Sequence, residues 1–428
     1  MEGRSKIVAL ETLGLALSQF LLLASGSAAN DAAIGAGGSG SVGILPGAGS
    51  DSSLVRVTGA TGWRRRTRRS SLRLRYRPRL TMRLPAPSGE KRPLLLHQAD
   101  LRVSSSLSPR VGGSIDGTLA AGAVDYATID TLFEGSAAAN IPAVVRVLRA
   151  DGGAELRTAV SPRLVWLNAL RASYTKPLGD EDPPDPSNDP DDNSGAAVGG
   201  GVRKSGIVAL RSSFHYTIES RNSIGAGIEG RHVVSDFPFR VVVLGLRGMW
   251  GHVPASGQQI AIEGGVNYAA EIGDGETLIT PSVSLSYRSS FSRMGEEHTS
   301  LAFSLGMRDV LEPLVPTYRS VVFGGMSVGH GIGRRWDLGA SVSATTSVLG
   351  RSLGPSRSES ALAASFPVTY SAGTNLLLSF GLQSSVRISD SRRAQAQGPQ
   401  GPQVLALAFF GMSAATGTRP RDSMWLWR

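Results

Sequence analysis

The stretch TPSVSLSYRSS, Thr280 to Ser290, decides the fold. Val283, Leu285 and Tyr287 alternate with Ser284, Ser286 and Arg288. Successive side chains of an extended strand point to opposite faces, so this segment is apolar on one face and small, hydroxylated or cationic on the other. A soluble sandwich would carry a densely charged outer face. Here the second face is mostly Ser, which suits a crowded or watery interior better than bulk solvent.

The same alternation recurs along the chain. Leu72, Leu74 and Tyr76 oppose Arg73, Arg75 and Arg77, and Leu80, Met82 and Leu84 oppose Arg79, Thr81 and Arg83. Val208, Leu210, Phe214, Tyr216 and Ile218 keep one parity against Arg211, Ser213 and His215. Ile260, Ile262, Val266 and Tyr268 oppose Gln259, Glu263 and Asn267, and Leu301, Phe303, Leu305 and Met307 oppose Ala302, Ser304, Gly306 and Arg308. Leu338 and Val342 oppose Ser341, Ser343 and Thr345; Leu376 to Ile388 keeps the pattern against Gln383, Ser385 and Arg387. No helical period is evident beyond the N-terminus.

Composition agrees. The chain has 428 residues, of which 53 are Gly and only 6% aromatic, a poor supply for one dense soluble core. With no cysteine, disulfides, thiolate zinc sites, Cys nucleophiles and a lipidated Cys are excluded. Lys and Arg number 44 against 34 Asp and Glu, a basic balance that suits an anionic surface or an anion-attracting cavity.

Arg4 and Lys6 precede the apolar run LGLALSQFLLLA (Leu13 to Ala24) and the small residues Ser25 to Ala29. That order is the charged, apolar and cleavable pattern of a secretory signal, assigned to residues 1–29. Export makes nucleic acid an unsuitable partner despite the charge. Residues 30–68 begin with an Ala-, Gly- and Ser-rich stretch and end in the basic RRRTRR, and are expected to be a flexible lead-in. The GxGxxG spacing at Gly35, Gly37 and Gly40 lacks the strand and helix that a dinucleotide site needs, and GAGIEG (Gly225 to Gly230) lies inside an alternating run.

Connections differ in length. Short turns are expected at Arg77–Arg79, Ser108–Arg110, Ser161–Arg163, Ser220–Asn222, Arg334–Trp336 and Ala372–Asn375, and long polar connections at Thr175–Gly201, Gly350–Glu359 and Asp390–Gln403. Short turns at one end and long loops at the other, with runs of about 10 to 14 residues, describe an all-β, single antiparallel transmembrane β-barrel of about sixteen strands, within a range of 14 to 18. It is assigned to residues 69–414, with a tail at 415–428.

SLRLRYRPRLTMRL (Ser71 to Leu84) and RPLLLHQADLRVSSSLSPRVGGSIDGTLAAG (Arg92 to Gly122) resemble the strand, Ser-Pro-Arg turn, strand repeats of Gram-negative outer-membrane β-barrel proteins. Phe133 to Pro162 is similar to a segment of the transporter-like barrels named for the MetA protein of phenol degradation; it carries no catalytic residue. The C-terminus departs from the pattern, because VLALAFFGMS (Val404 to Ser413) is followed by a tail ending in Arg428 rather than on an aromatic. The resemblance implies an outer-membrane porin or passive transporter for small solutes, with membrane lipid, lipopolysaccharide and the barrel-assembly machinery as partners. The alternative is a non-conducting structural or adhesive barrel.

If the apolar parity faces lipid, Arg146, Arg157, Arg211, Arg288, Arg308 and Arg387 line the lumen, with Glu263, Asn267 and Gln383 among them. That excess of cations predicts an anion-preferring pore. The acidic loop Gly179 to Gly195 places Asp189, Asp191 and Asn193 at calcium-loop spacing, but the Gly comes one position late and no Glu closes the site. No metal site and no cofactor are expected. GMSVG (Gly325 to Gly329) fits a nucleophile elbow in letters only, since it lies within an alternating strand, and His232 and Asp236 have no nucleophile beside them; the chain is not expected to be an enzyme.

Overall fold

The structure, a computed structural model, describes residues 32–45, 52–84, 93–125, 144–178, 204–235, 240–273, 275–293, 297–312, 317–333, 335–353, 358–372, 376–390 and 403–415. The signal expected at 1–29, the acidic loop with Asp189, Asp191 and Asn193, and all but Ala415 of the tail expected at 415–428 lie outside them. Eighteen strands follow one another: β1 (Ala32–Leu45), β2 (Ser52–Arg66), β3 (Ser70–Leu84), β4 (Leu94–Ser106), β5 (Val111–Asp125), β6 (Val144–Ala159), β7 (Leu164–Pro177), β8 (Ser205–Glu219), β9 (Asn222–Ser235), β10 (Val241–His252), β11 (Gln258–Glu271), β12 (Thr277–Arg293), β13 (Glu297–Glu312), β14 (Thr317–Ile332), β15 (Trp336–Leu353), β16 (Ser358–Ser371), β17 (Leu376–Asp390) and β18 (Gln403–Ala415). Each pairs antiparallel with its chain neighbours, and β18 pairs with β1, closing the sheet. The fold is a closed 18-stranded antiparallel barrel.

Two strands come from the segment expected to be a flexible lead-in. β1 and β2 fill it and complete the barrel between β18 and β3. The composition argument holds for an isolated segment, which cannot bury enough apolar area. A strand paired on both sides gains a partner for every backbone group instead, and its side chains can be small. The expected turn at Arg77–Arg79 is likewise corrected, since β3 runs straight through it. Pro78 lacks an N–H and crowds its neighbour, so the β2–β3 ladder skips from Thr58↔Arg79 to Thr61↔Tyr76, with Gly59 against the proline ring. β16 repeats the device: the β15–β16 ladder skips from Leu338↔Val368 to Ser341↔Ser365, with Gly339 against Pro367.

Which parity is inside follows from reach. On a convex wall side chains diverge, while on a concave wall those of strands two or more apart converge. The polar parity makes such contacts: Arg211 on β8 approaches Glu263 on β11 at 3.7 Å. The apolar parity is the exposed one, with Leu246 at 67% and Ile279 at 66% exposure, whereas Asn267 and Ser213 on the other parity are buried. Apolar side chains therefore cover the outside. Trp63, Trp166, Trp250 and Trp336 share that outer parity, and each lies near the strand end at the short turns. Trp166 stacks on Phe214 at 5.6 Å and Trp336 packs on Tyr370 at 4.5 Å, forming part of an aromatic rim there.

Candidate functional site: the inner wall

The inner face of β2 to β7 is built around arginine. Register places Arg64, Arg73, Arg102 and Asp116 side by side across β2, β3, β4 and β5. One row further in, Asp100 on β4 accepts from Arg75 Nε at 2.9 Å, from Thr118 Oγ1 at 3.0 Å and from Gln98 Nε2 at 3.1 Å, with Arg77 at 3.2 Å. One carboxylate thus ties together the guanidiniums of alternate β3 positions, which would otherwise repel across the pleat. On β6, Arg149 donates to Asp151 at 2.7 Å.

Across β8 to β11 the charges form a chain of alternating sign. Arg231 meets Glu229 at 3.2 Å, Glu229 meets Arg247 at 2.9 Å, Arg247 meets Glu263 at 2.8 Å, and Glu263 meets Arg211 at 3.7 Å. From β12 onward the inner parity is mostly hydroxyl and glycine, as in the Ser341–Ser365 hydrogen bond of 2.8 Å. Arg308 lies over the Phe323 ring at 5.1 Å, and Arg319 donates to Ser347 at 2.7 Å.

The wall changes course where β13 leaves β12. Their ladder ends at Val283↔Met307, so the beginning of β12 pairs with β11 alone. Beyond that point Asp309, Tyr318 and Ser320 continue the outer parity of β13 and β14, yet all three are buried. Asp309 accepts from Thr280 Oγ1 at 2.7 Å, Tyr318 OH at 2.5 Å and Ser320 Oγ at 2.9 Å, and from Asn267 Nδ2. Thr280 and Asn267 belong to the inner face of β12 and β11. Tyr318 and Leu353 cluster with Val241, Val243 and Ala269, also inner residues. The long-loop ends of β13, β14 and β15 therefore fold inward across the inner wall of β10 to β12. A break in the β14–β15 register between Arg319 and Val321 permits the bend.

Of the side chains expected inside, Arg157, Arg211, Glu263, Asn267, Arg288, Arg308 and Gln383 lie on the inner parity. Arg146 does not: it pairs with Ala123 on the outer parity of β5. In VVRVLR apolar residues flank Arg146 on both sides, so alternation could not assign it, and register does. Arg387 pairs with Ala361 and Gln403, and its side chain lies outside the described residues. Asp309, Glu229, Arg231 and Arg247 were missed. The last three share the inner parity of their strands and were readable; Asp309 was not. Gly325–Gly329 is extended strand paired on both sides, without the sharp turn a nucleophile elbow requires. No cluster of three or more potential metal ligands occurs among the described residues.

No protein-family model matches the chain, and no curated protein matches it significantly. Among solved structures it is similar to Pseudomonas aeruginosa OccK2 in complex with glucuronate, with a TM-score of 0.42 and 9% identity over 90% of this chain and 99% of that one. It is also similar to the CymD monoaromatic hydrocarbon channel, with a TM-score of 0.34 and 10% identity over 91% and 90%. The siderophore receptor PirA from Acinetobacter baumannii gives 0.45 and 7% over 91% and 81%.

Proposed function

We propose that the chain is an outer-membrane channel through which small solutes diffuse, with a basic, anion-preferring lumen. The observation that carries the reading is the division of faces in a closed barrel: apolar side chains exposed outside, arginines and hydroxyls inside. Lipid accepts such a surface and demands the closure, because an open sheet edge would leave backbone groups unsatisfied in hydrocarbon. The aromatic rim at the short turns suits one membrane–water interface. The likeness of Phe133–Pro162 to MetA-type barrels agrees with transport and assigns no residue.

Anion preference rests on the inner Arg excess over Asp and Glu between β2 and β7. The test is single-channel conductance of refolded protein in planar bilayers, with the reversal potential in a salt gradient. A stable conductance with an anion-shifted potential is expected. A cation shift defeats the charge assignment alone; inserted, silent protein favours a second reading, a closed structural barrel. The inward-folded end of β13 to β15 is the observation that speaks for that second reading.

A further inference from the structure

A cavity of about 520 Å³ opens on the inner face at the short-turn end, and arginine dominates its lining. Arg64 and Arg66 come from β2, Arg68 and Arg69 from the following turn, and Arg157 from β6. Glu155 is the one acid that lines it. Several guanidiniums elsewhere on the inner wall are matched: Arg75 and Arg77 have Asp100, and Arg231 and Arg247 have Glu229. At this mouth Arg64, Arg66 and Arg157 have no carboxylate partner among the described residues, and the Arg64 Nε is buried with no acceptor. Arg77 and Arg247 also keep a buried Nε without an acceptor, so what sets this mouth apart is five arginines around one cavity with a single acid, a concentration of forked donors that suits an anionic acceptor from outside.

We infer that this mouth is a binding site for a small phosphorylated solute. The inference deepens the channel reading and rests on it for the route by which the solute arrives. The cavity has room for more than a bare ion, since its volume falls in the range of about 300 to 1,000 Å³ typical of small-molecule sites. A carboxylate is satisfied by one guanidinium fork. A phosphate monoester has three terminal oxygens and nearly two charges, so it uses several forks at once. Hydroxyls supply the remaining donors: Ser71 and Ser104 are hydrogen-bonded to each other at 2.7 Å on the cavity wall, and Ser106 and Ser114 lie beside them. The turn is fixed in advance, because Thr67 Oγ1 accepts the N–H groups of Ser70 at 3.0 Å and Arg69 at 3.3 Å. That rigidity reduces the entropy lost on binding. Arg64, Arg66 and Arg157 belong to the inner parity, so a soluble solute is the source rather than a lipid headgroup.

The test is calorimetric titration of the full-length protein in phosphatidylcholine nanodiscs with glucose 6-phosphate and with glucose. Saturable binding of the phosphate ester and none of the sugar are expected, with Arg64→Ala and Arg157→Ala each weakening binding about tenfold or more. Arg110→Ala, in another turn outside the cavity, stays within twofold. If Arg64→Ala does not fold, Arg157→Ala carries the comparison. Absence of saturable binding, equal binding of glucose, or equal weakening by Arg110→Ala overturns the site; the last leaves only diffuse rim charge. Adding phosphatidylglycerol to the discs leaves affinity unchanged for a soluble solute, and its abolishing binding identifies a headgroup site instead. Conductance is measured separately, so a conducting protein that ignores the ester loses this inference and keeps the channel.

Discussion

The inner wall from β2 to β11 and the inner wall from β12 to β18 share one outer surface and differ in almost everything inside. The first is crowded with guanidiniums held by a few carboxylates, as around Asp100 and along Arg231–Glu229–Arg247–Glu263–Arg211. The second carries mostly neutral hydroxyls, such as Ser341 against Ser365, with Arg288, Arg308, Arg319 and the His298–Asp337 pair at 3.3 Å among the exceptions. Outside, Leu210 and Ile228 in one half are as exposed as Leu382 and Phe366 in the other. A uniform environment thus sets the outer parity, while the inner parity is free to differ from one side to the other. In the channel reading, solute moves between a cationic wall and a polar, uncharged one.

The largest effect is expected from stripping the counter-charges of the first wall. Glu229→Gln with Glu263→Gln keeps the shapes and leaves Arg211, Arg231 and Arg247 facing one another. Breaking such partly buried pairs costs about 3 to 5 kcal/mol, read as a fall in the denaturation midpoint of detergent-solubilised protein. Ser341→Ala in the second wall loses one neutral hydrogen bond and costs about 1 kcal/mol. Equal losses would show that the two walls do not differ energetically and that the ion chain is surface decoration.

A smaller effect is expected where the second wall crosses onto the first. Asp309→Ala leaves Asn267, Thr280, Tyr318 and Ser320 without their shared acceptor. Unsatisfied buried groups cost about 1 to 3 kcal/mol, enough to unseat the inward-folded strand ends without unfolding the barrel. Amide exchange over 309–320 should accelerate while β3 to β8 stays protected, and open-channel conductance should rise. Unchanged exchange would mean that the apolar cluster of Val241, Val243 and Tyr318 holds the segment unaided.

These contrasts also explain what is legible in the sequence. Alternation reports the outer face, so every run with large apolar residues on one parity stands out. β1 escapes because Ala36, Gly38 and Gly40 fill the middle of its outer parity between Ile34 and Val42, and a run of small residues has no period to detect. Eighteen strands rather than sixteen follow from β1 and β2 together, both within residues 30–68. Among the side chains expected inside, parity reads unambiguously where one face is clearly apolar, as at Glu263, and is ambiguous at Arg146, where both are. Asp309 is the opposite case. Its parity is the outer one, and only the inward fold, which depends on register breaks several strands away, hides it.

Glycine substitutions give the smallest effects and test whether the two halves share their backbone rules. A Cβ at Gly339, in the second half, would meet Pro367 Cγ at 2.9 Å; at Gly59, in the first, Pro78 Cγ at 3.2 Å. Gly339→Ala should therefore cost about 1 to 2 kcal/mol and Gly59→Ala somewhat less, since the proline rings must shift to admit a methyl group. At Gly264, on the outer face of β11, a methyl group would meet nothing within 4 Å, and Gly264→Ala should stabilise by about 0.5 kcal/mol through the lost freedom of the unfolded chain. Denaturation midpoints in one detergent order all three. If Gly59→Ala and Gly339→Ala are as harmless as Gly264→Ala, the skipped ladders reflect local slack rather than proline accommodated by an opposing glycine. If only Gly339→Ala is costly, the half-walls differ in packing as well as in charge, because its crowded methyl points inward and that of Gly59 outward.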